Sequence, residues 1–303
     1  MLLKLIRKGK VKEVYEAGAD ILEFVFTDHI SVFDKIIPNT VPHKGDTLCR
    51  TSAIWFQIVK DMGIRTHFRE LVSSNRMRVK RVEVINDYSK IDNSTRNYLI
   101  PLEFVMRHYV AGSLMDRLLS GNITPADIGF RAGHKPKYGE KLNEPFFEVT
   151  TKLEPIDRHL TFKEALGISG LSENEMNTIR STIERIDDRI QEEVSGRGLI
   201  HVDGKKEFAF DKDRHLMLVD TFGTSDEDRW WDADAYSQGR IEELSKEFVR
   251  QYYRNTGYHE MLEMARKRRS PEPPIPALPE EMVKKTSDLY VAMFERITGE
   301  SFS

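Results

Sequence analysis

Within its first 27 residues the chain places three short segments rich in apolar and β-branched side chains, at 2–7, 11–16 and 21–27, with only a few residues between neighbours. Connections that short join antiparallel strands, because a parallel pair needs a crossover of a dozen residues or more. Ala17-Gly18-Ala19-Asp20 forms the turn of the second hairpin, and Lys8-Gly9-Lys10-Val11-Lys12 is a tight basic turn in the first. The chain therefore opens as an antiparallel sheet, and whatever follows must cover one face of it.

Helical spacing comes next, at Ile54, Trp55, Ile58 and Val59, with Gly45 and Gly63 as stop signals, and predicts one helix over 46–62. Strands are expected to return at 65–72 and 76–85, where MRVKRVEVI alternates apolar and basic side chains. After the polar stretch 86–97 a new apolar run starts at Tyr98, which sets a boundary between an N-terminal antiparallel β-rich lobe, 1–100, and an α+β lobe, 101–303. In the second part, 113–119 can open a helix, and Ser172-Glu-Asn-Glu175 is a capping-box signature for a longer one that stops near Gly196. Residues 198–203, 206–210 and 215–220 read as a strand meander, with Asp203-Gly204 and Asp211-Lys212-Asp213 as its turns. Amphipathic helices are expected at about 239–255 and 280–298. Between them RRSPEPPIPALP, 268–279, carries five prolines and reads as an extended strap. The class is α+β rather than a regular βαβ alternation.

Composition narrows the function. With 303 residues, 39% hydrophobic and 31% charged, the chain can bury a sizeable core in one large or two closely packed domains. A net charge of −3 supplies no global positive field for nucleic acid or an anionic membrane, so anion binding must be local. No run approaches the roughly 20 apolar residues of a bilayer span, and MLLKLIRKGKVKEVY lacks the apolar core of a signal peptide. The single cysteine, Cys49, fits a reducing compartment, and cytoplasm is the default expectation.

Four segments could carry chemistry, and each also has a plain structural reading. Lys8-Gly9-Lys10-Val11-Lys12 could cover a polyphosphate or be a solvated lysine-rich turn. Asp203-Gly-Lys205-Lys-Glu207 and Asp220 place carboxylates on neighbouring strands, where they could hold Mg²⁺; equally, Asp203-Gly204 is a favoured hairpin turn and Glu207 could pair with a lysine. Arg229 lies among Asp226, Glu227, Asp228 and Asp232, and is either neutralised in a salt-bridge cluster or aimed at an anion beside Trp230-Trp231. The stretch 101–114 looks like a strand feeding a small-residue turn and a helix start; Ser113 and the backbone N–H groups there suit a phosphate monoester, or Ser113 simply caps the helix and Arg107 pairs with an acid. No zinc spacing, Walker-type loop or dinucleotide fingerprint is present.

Taken as an ordered set, these segments resemble the SAICAR synthetase family from end to end. GKVKEVY is similar to its GKxKxVY opening, FDKIIPNTVPHKG to its FD segment, and PLEFVMRHYVAGSL to its P-[apolar]-E-x3-R-x4-GSL signature. EVTTKLEP resembles its TTK turn, HVDGKKEFAF its VDxKxEF strand, and VDTFGTSDEDRWWD its second signature, while LPEEMVKKTSDLYVAMFERITGE resembles the C-terminal helix of longer members. The resemblance implies ATP, Mg²⁺, L-aspartate and the carboxylated imidazole ribotide CAIR as reactants, with a site between an N-terminal antiparallel ATP-binding lobe and a larger α+β lobe. By position it implies that Lys10 and Lys12 contact nucleotide phosphates, that Val11 belongs to the nucleotide site, and that Leu102 and Glu103 lie in a hinge beside adenine. Lys152 falls near the ribose, Lys205 near the phosphates, and Glu207 and Asp220 on Mg²⁺. Asp34, Arg107, Ser113 and Arg229 fall to CAIR. Lys12, Lys205, Asp203 and Arg229 are the implied catalytic group, with Asp203 and Asp220 both candidates for accepting the amine proton.

The chain departs from the family pattern at Thr221, where an acid is usual, at Ser225, where proline is usual, and at Glu227-Asp228, where a small pair is usual. Two added acids beside Arg229 would weaken its hold on an anion unless they point away. LEPIDRHL replaces an adjacent His-Asp pair, which leaves Asp157 and His159 without an assigned role. A small-molecule kinase is the rival reading: it would keep Lys10, Glu207 and Asp220 but would not need Arg107, Gly112-Ser113 and Arg229 together. A non-catalytic nucleotide- or RNA-binding module is the second rival. Apolar surfaces on the C-terminal helix could form a homo-oligomer interface or an intrachain dock.

Overall fold

The structure, a computed structural model, describes residues 3–303. Strands β1 (Lys4–Lys8), β2 (Lys12–Gly18) and β3 (Ile21–Phe26) form the expected hairpins; Leu2, at the start of the first predicted segment, lies outside the described residues. A small hairpin, β4 (His29–Val32) with β5 (Lys35–Thr40), leads into α1 (Lys44–Asp61), and β6 (Phe68–Ser73) and β7 (Arg76–Lys80) then complete a five-stranded antiparallel sheet of order β1-β2-β3-β7-β6. β7 is shorter than the alternating sequence predicts, because past Lys80 the backbone turns to bond Asp20 O and Asn97 O instead of continuing the ladder.

The second sheet begins with β8 (Tyr98–Leu99) and β9 (Leu102–Tyr109), interrupted near Pro101, which has no N–H to donate. α2 (Ser113–Leu119), β10 (Lys141–Thr151), β11 (His159–Leu160), α3 (Phe162–Ser169) and α4 (Glu173–Ser195) follow. The Ser172–Glu175 capping box is present at the start of α4 as the sequence predicts. Next come β12 (Leu199–Phe210), β13 (Leu216–Val219), β14 (Asp228–Asp232), α5 (Ala233–Ser237), α6 (Glu247–Asn255), α7 (Tyr258–Arg268) and α8 (Glu280–Thr298). The architecture is α+β, with antiparallel pairing throughout both sheets.

β12 corrects the sequence reading at one point. The expected turn at Asp203-Gly204 does not exist, because β12 runs unbroken through it, with β9 and β8 along one edge and β14 and β13 along the other. Gly204 serves packing instead: a Cβ there would sit 2.1 Å from Asp228 Oδ2 and 2.5 Å from Lys206 Nζ. The helix expected from 239 starts only at Glu247, since the N–H groups of Leu244 and Lys246 go to Trp230 O and Ser225 O instead of to a preceding helical turn. The proline-rich strap is extended as predicted, its carbonyls at Pro273 and Pro276 accepting from Tyr258 and Tyr253.

One large apolar core runs from Phe24 of β3 through α1 and α4 to Ile297 of α8. α8 packs its Tyr290, Met293, Phe294 and Ile297 face against α1 and α4, so the C-terminal helix docks within the chain. Among the described residues no helix is long and apolar enough to cross a membrane.

Candidate active site

In a strand, alternate side chains share a face, and three neighbouring strands use that period to line one cavity of about 1160 Å³. β10 and the residue after it contribute Glu148, Thr150 and Lys152, β9 contributes Glu103, Val105 and Arg107, and β12 contributes Asp203, Lys205 and Glu207. The intervening Phe104, Met106 and Phe208 point into the core. The first sheet closes the cavity with Lys10, Val11, Lys12, Val14, Leu22 and Phe24.

At one end lysines and carboxylates interleave. Lys205 Nζ lies 2.8 Å from Glu103 Oε1, 2.7 Å from Glu207 Oε1 and 3.3 Å from Glu227 Oε2. Lys152 Nζ lies 2.5 Å from Glu207 Oε2, 3.7 Å from Glu103 and 3.9 Å from Asp220 Oδ2, and Lys12 contacts Asp220 Oδ1. Asp220 ends β13 with a left-handed backbone, φ 61°, and its carbonyl faces His67 Nε2 at 3.3 Å. Burial opposes ionisation of Asp220, but Lys12, Lys152 and Lys205 outweigh it and hold the carboxyl below its ordinary value. Glu207 is likewise held low against burial by Lys152 and Lys205. Glu103 goes the other way: burial, reinforced by Glu207, overcomes its two lysines and pushes it up to about 7.

Whether this end suits a divalent cation can be judged from Glu207 Oε2. That oxygen is enclosed by the protein and its one close partner is Lys152 Nζ, at 2.5 Å. Two ionised carboxylates from adjacent strands, both within reach of the Lys152 ammonium, offer the oxygen donors that a hard cation such as Mg²⁺ prefers. The apolar rim beside them comprises Val14, Leu22, Val82, Leu99 and Val219.

Arginines dominate the other end. Arg107 donates to Glu148 Oε1 at 2.7 Å, Asp203 Oδ2 at 2.9 Å and Ser113 Oγ at 3.1 Å. Arg229 contacts the same Asp203 oxygen and lies 3.4 Å from Glu247. Burial works against the charge on Arg229, but Asp203, Glu247 and Glu243 more than restore it. Gly112, φ 51°, is the residue that admits this arginine, since a Cβ there would fall 2.3 Å from Arg229 Nη2.

The residues to which the family resemblance assigns a site role all line the cavity except two. Leu102 is fully buried in the core, and Leu99 and Val82 occupy the apolar wall in its stead. Asp34 lies outside the lining but pairs with Lys10 at 2.6 Å. Asp157 and His159 are on the wall. The added acids do not oppose Arg229. Glu227 turns to Lys205, while Asp228 is buried among His201 at 2.7 Å, Lys206 at 3.3 Å and the Gly223 N–H at 2.8 Å. Besides Asp203, the acids that face Arg229 are Glu243 and Glu247, from a segment with no motif of its own. Trp230 and Trp231 are both buried, on opposite faces of β14, packing against His201 and against Tyr109, and neither supplies a stacking surface for the guanidinium. Sequence reasoning also passed over Lys246 and Arg250, which line the cavity, and the buried Lys44, 2.9 Å from Asp226.

The match to known proteins extends along the chain. A family model described as SAICAR synthetase matches residues 5–265. Phosphoribosylaminoimidazole-succinocarboxamide synthase of Thermoplasma acidophilum is 55% identical over 300 residues, covering 99% of this chain and 100% of its own length, and that of Thermoplasma volcanium is 54% identical with the same coverage. Among solved structures, the SAICAR-synthase from Saccharomyces cerevisiae complexed with SAICAR aligns with a TM-score of 0.75 at 23% identity, covering 99% of this chain and 96% of that one. A SAICAR synthetase (type 2) in complex with ADP aligns with a TM-score of 0.69 at 25% identity, covering 98% and 99%. Sharing its fold with those enzymes and more than half its residues with relatives along their full length, the chain belongs to the SAICAR synthetase family.

Proposed function

We infer that the protein is a phosphoribosylaminoimidazole-succinocarboxamide synthase, an ATP-dependent C–N ligase of de novo purine biosynthesis acting in the cytoplasm. It joins L-aspartate to the carboxylate of CAIR and releases SAICAR, ADP and phosphate. The observation that carries the reading is the polarity of one continuous cavity, with a lysine–carboxylate end 103–207–220 and an arginine end 107–229 meeting along β12.

Lys10 and Lys12 reach the nucleotide phosphates from the first sheet, Lys152 lies toward the ribose, and the wall of Val82 and Leu99 receives the base. Residues 1–100 thus act as the nucleotide-covering lobe and 101–303 as the lobe that completes both sites. Glu207 and Asp220 would hold Mg²⁺, which when bound would neutralise phosphate charge. Arg107, Ser113 and Arg229 take the anionic groups of CAIR, because a planar guanidinium matches phosphate or carboxylate with two parallel hydrogen bonds.

A carboxylate is a poor electrophile. Its oxygen attacks the γ-phosphorus of ATP, the bond to ADP breaks, and an acyl phosphate forms. The aspartate amine then attacks the carbonyl carbon, the C–O bond to phosphate breaks, and the amine gives up a proton. Lys12 and Lys205 lower the barrier to the first step by facing the charge that shifts between phosphoryl oxygens, which is catalysis by position and electrostatics rather than by a nucleophile of the chain. Asp203 Oδ2 already accepts from two guanidinium groups and serves to align them, which leaves it poorly placed to take the amine proton.

ADP release with MgATP, tested with CAIR alone, L-aspartate alone and both, together with mass detection of product, examines this directly. Release requiring both substrates with a succinocarboxamide product is expected. ATP hydrolysis indifferent to L-aspartate would favour the kinase reading instead.

A further inference from the structure

α6 opens on Glu247, and Arg250 and Arg254 lie three and seven residues further along the same helix face. The three side chains meet: Glu247 Oε2 accepts from Arg250 Nη1 at 3.3 Å, and Oε1 accepts from Arg254 Nη1. Oε2 also accepts from Arg229 Nη2 at 3.4 Å, across from β14. The carboxylate is only 3% exposed, and although burial opposes its charge, Arg229, Arg250 and Arg254 outweigh burial and hold it below its ordinary value. Arg229 and Arg250 are on the cavity wall and Glu247 is not, so it reaches both from behind.

The donors of Arg229 can be counted. Asp203 takes an N–H of Nη1 and Glu247 one of Nη2, which leaves one N–H on each terminal nitrogen. That pair is what a phosphate or carboxylate takes with two parallel hydrogen bonds. Nε lies 3.9 Å from Glu243 Oε2, and neither atom has a hydrogen-bond partner among the described residues.

We propose that Glu247 is a positioning residue for the ligase reaction: through its direct bond to Nη2 it sets the plane of the Arg229 guanidinium that receives CAIR. The inference rests on the ligase reading above. Arg250 and Arg254 satisfy the two Glu247 oxygens from its own helix, so the acceptor offered to Arg229 has a fixed direction. Without it Arg229 keeps only an Asp203 oxygen that Arg107 also uses, and the unpartnered Glu243 oxygen draws the guanidinium round toward its Nε edge. The backbone of Arg229 stays registered with Asp203 in the ladder of β14 and β12, so the change is confined to the side chain. The ion pairs of Glu247 are with these three arginines, none of them from the lysine end. A pure charge effect has the opposite sign, because an acid beside Arg229 lowers the positive potential that CAIR meets and its neutralisation would tighten binding.

Glu247→Gln keeps the size of the side chain but offers one carbonyl oxygen to three guanidinium groups, and its amide NH₂ must face one of them. The Kd for CAIR by calorimetry and the KM for CAIR should both rise about tenfold, the scale of a lost hydrogen bond between charged partners, while both constants for MgATP stay within about twofold of wild type. Glu247→Asp keeps the charge and withdraws it by one methylene; it should still raise both CAIR constants by about threefold, where a role of charge alone would leave them at the wild-type level. In the Arg229→Ala background, Glu247→Gln should add less than about twofold to the KM for CAIR, since the group it positions is gone. CAIR constants that are unaltered or lower in Glu247→Gln, an equal loss for MgATP, or a loss just as large in the Arg229→Ala background would each overturn the proposal. If circular dichroism shows Glu247→Gln unfolded, Glu247→Asp decides alone, and wild-type CAIR constants in it reject the proposal. Wild-type protein that binds no CAIR would sink the ligase reading and this inference together, whereas normal wild-type binding with unmoved variants rejects this inference alone.

Discussion

The two ends of the cavity hold charge in different ways. At the 103–207–220 end the cations are lysines, compact ammonium groups on flexible stems; Lys152 and Lys205 are each shared among three carboxylates at separations from 2.5 to 3.9 Å, and Lys12 pairs with Asp220. At the 107–229 end they are planar guanidinium groups, buried and crossed on a single oxygen of Asp203. A lysine can change partners by rotating its stem, whereas an arginine in a fork geometry is fixed by its plane. The first arrangement suits a phosphoryl group that moves during reaction. The second suits an anionic group that must be held still.

The largest effect should come from the movable end. Asp220→Asn keeps the shape of the side chain but removes a charge that three lysines stabilise, and with it one of the two carboxylates assigned to Mg²⁺. ADP release should fall by about two to three orders of magnitude in kcat, the scale of losing a positioned electrostatic group in a catalytic site, with circular dichroism unchanged. Near-normal turnover at ordinary Mg²⁺ would break the assignment of this end.

The fixed end should respond in KM. Arg229→Ala should raise the KM for CAIR about a hundredfold, typical of removing a buried charged hydrogen-bonding partner, and that for ATP far less. Gly112→Ala tests the same end from outside, since its new Cβ must displace the guanidinium from a backbone already at φ 51°. It should reproduce most of the Arg229→Ala rise in CAIR KM, and the double variant should be no worse than Arg229→Ala alone. Additive losses would mean that Gly112 acts on something other than Arg229.

Legibility from sequence follows the same contrast. Asp203, Lys205 and Glu207 fall within one short motif, HVDGKKEFAF, so the family resemblance names them as a set, and capping boxes such as Ser172–Glu175 are equally plain. What such local patterns cannot encode is which strands lie side by side, and the meander reading broke β12 at Asp203-Gly204 because that dipeptide is a good turn in isolation. Only the approach of Asp228, from another strand, and of the Lys206 ammonium on the same face as Gly204 reveals why glycine is needed there. Leu102 was misjudged for a related reason: Pro101 breaks the strand, and the phase of alternation after the break puts Glu103 on the cavity and Leu102 in the core. Glu243 and Glu247 gave no signal, since a residue whose partner lies on another element looks like any other helix or loop residue.

The smallest effect separates the ends by pH. Burial, with Glu207 adding to it, pushes Glu103 up to about 7 from an ordinary 4.5, despite Lys205 and Lys152. Between those two values the folded chain binds more protons at this site than the unfolded chain does. The contribution of Glu103 to stability therefore falls as pH rises through that interval, and is fully unfavourable above it. Asp220 and Glu207 slope the other way, but below the ordinary carboxylate range. Glu103→Gln cannot ionise, so the difference in unfolding free energy between variant and wild type should grow by about 1 to 3 kcal/mol in the variant's favour from pH 4.5 to pH 7.5. The comparison of slopes is the diagnostic, because glutamine also changes the partners of Lys152 and Lys205 at every pH. Urea unfolding curves that stay parallel across this range would mean that the lysines keep Glu103 ionised throughout, and that the movable end carries one more fixed negative charge than its geometry implies.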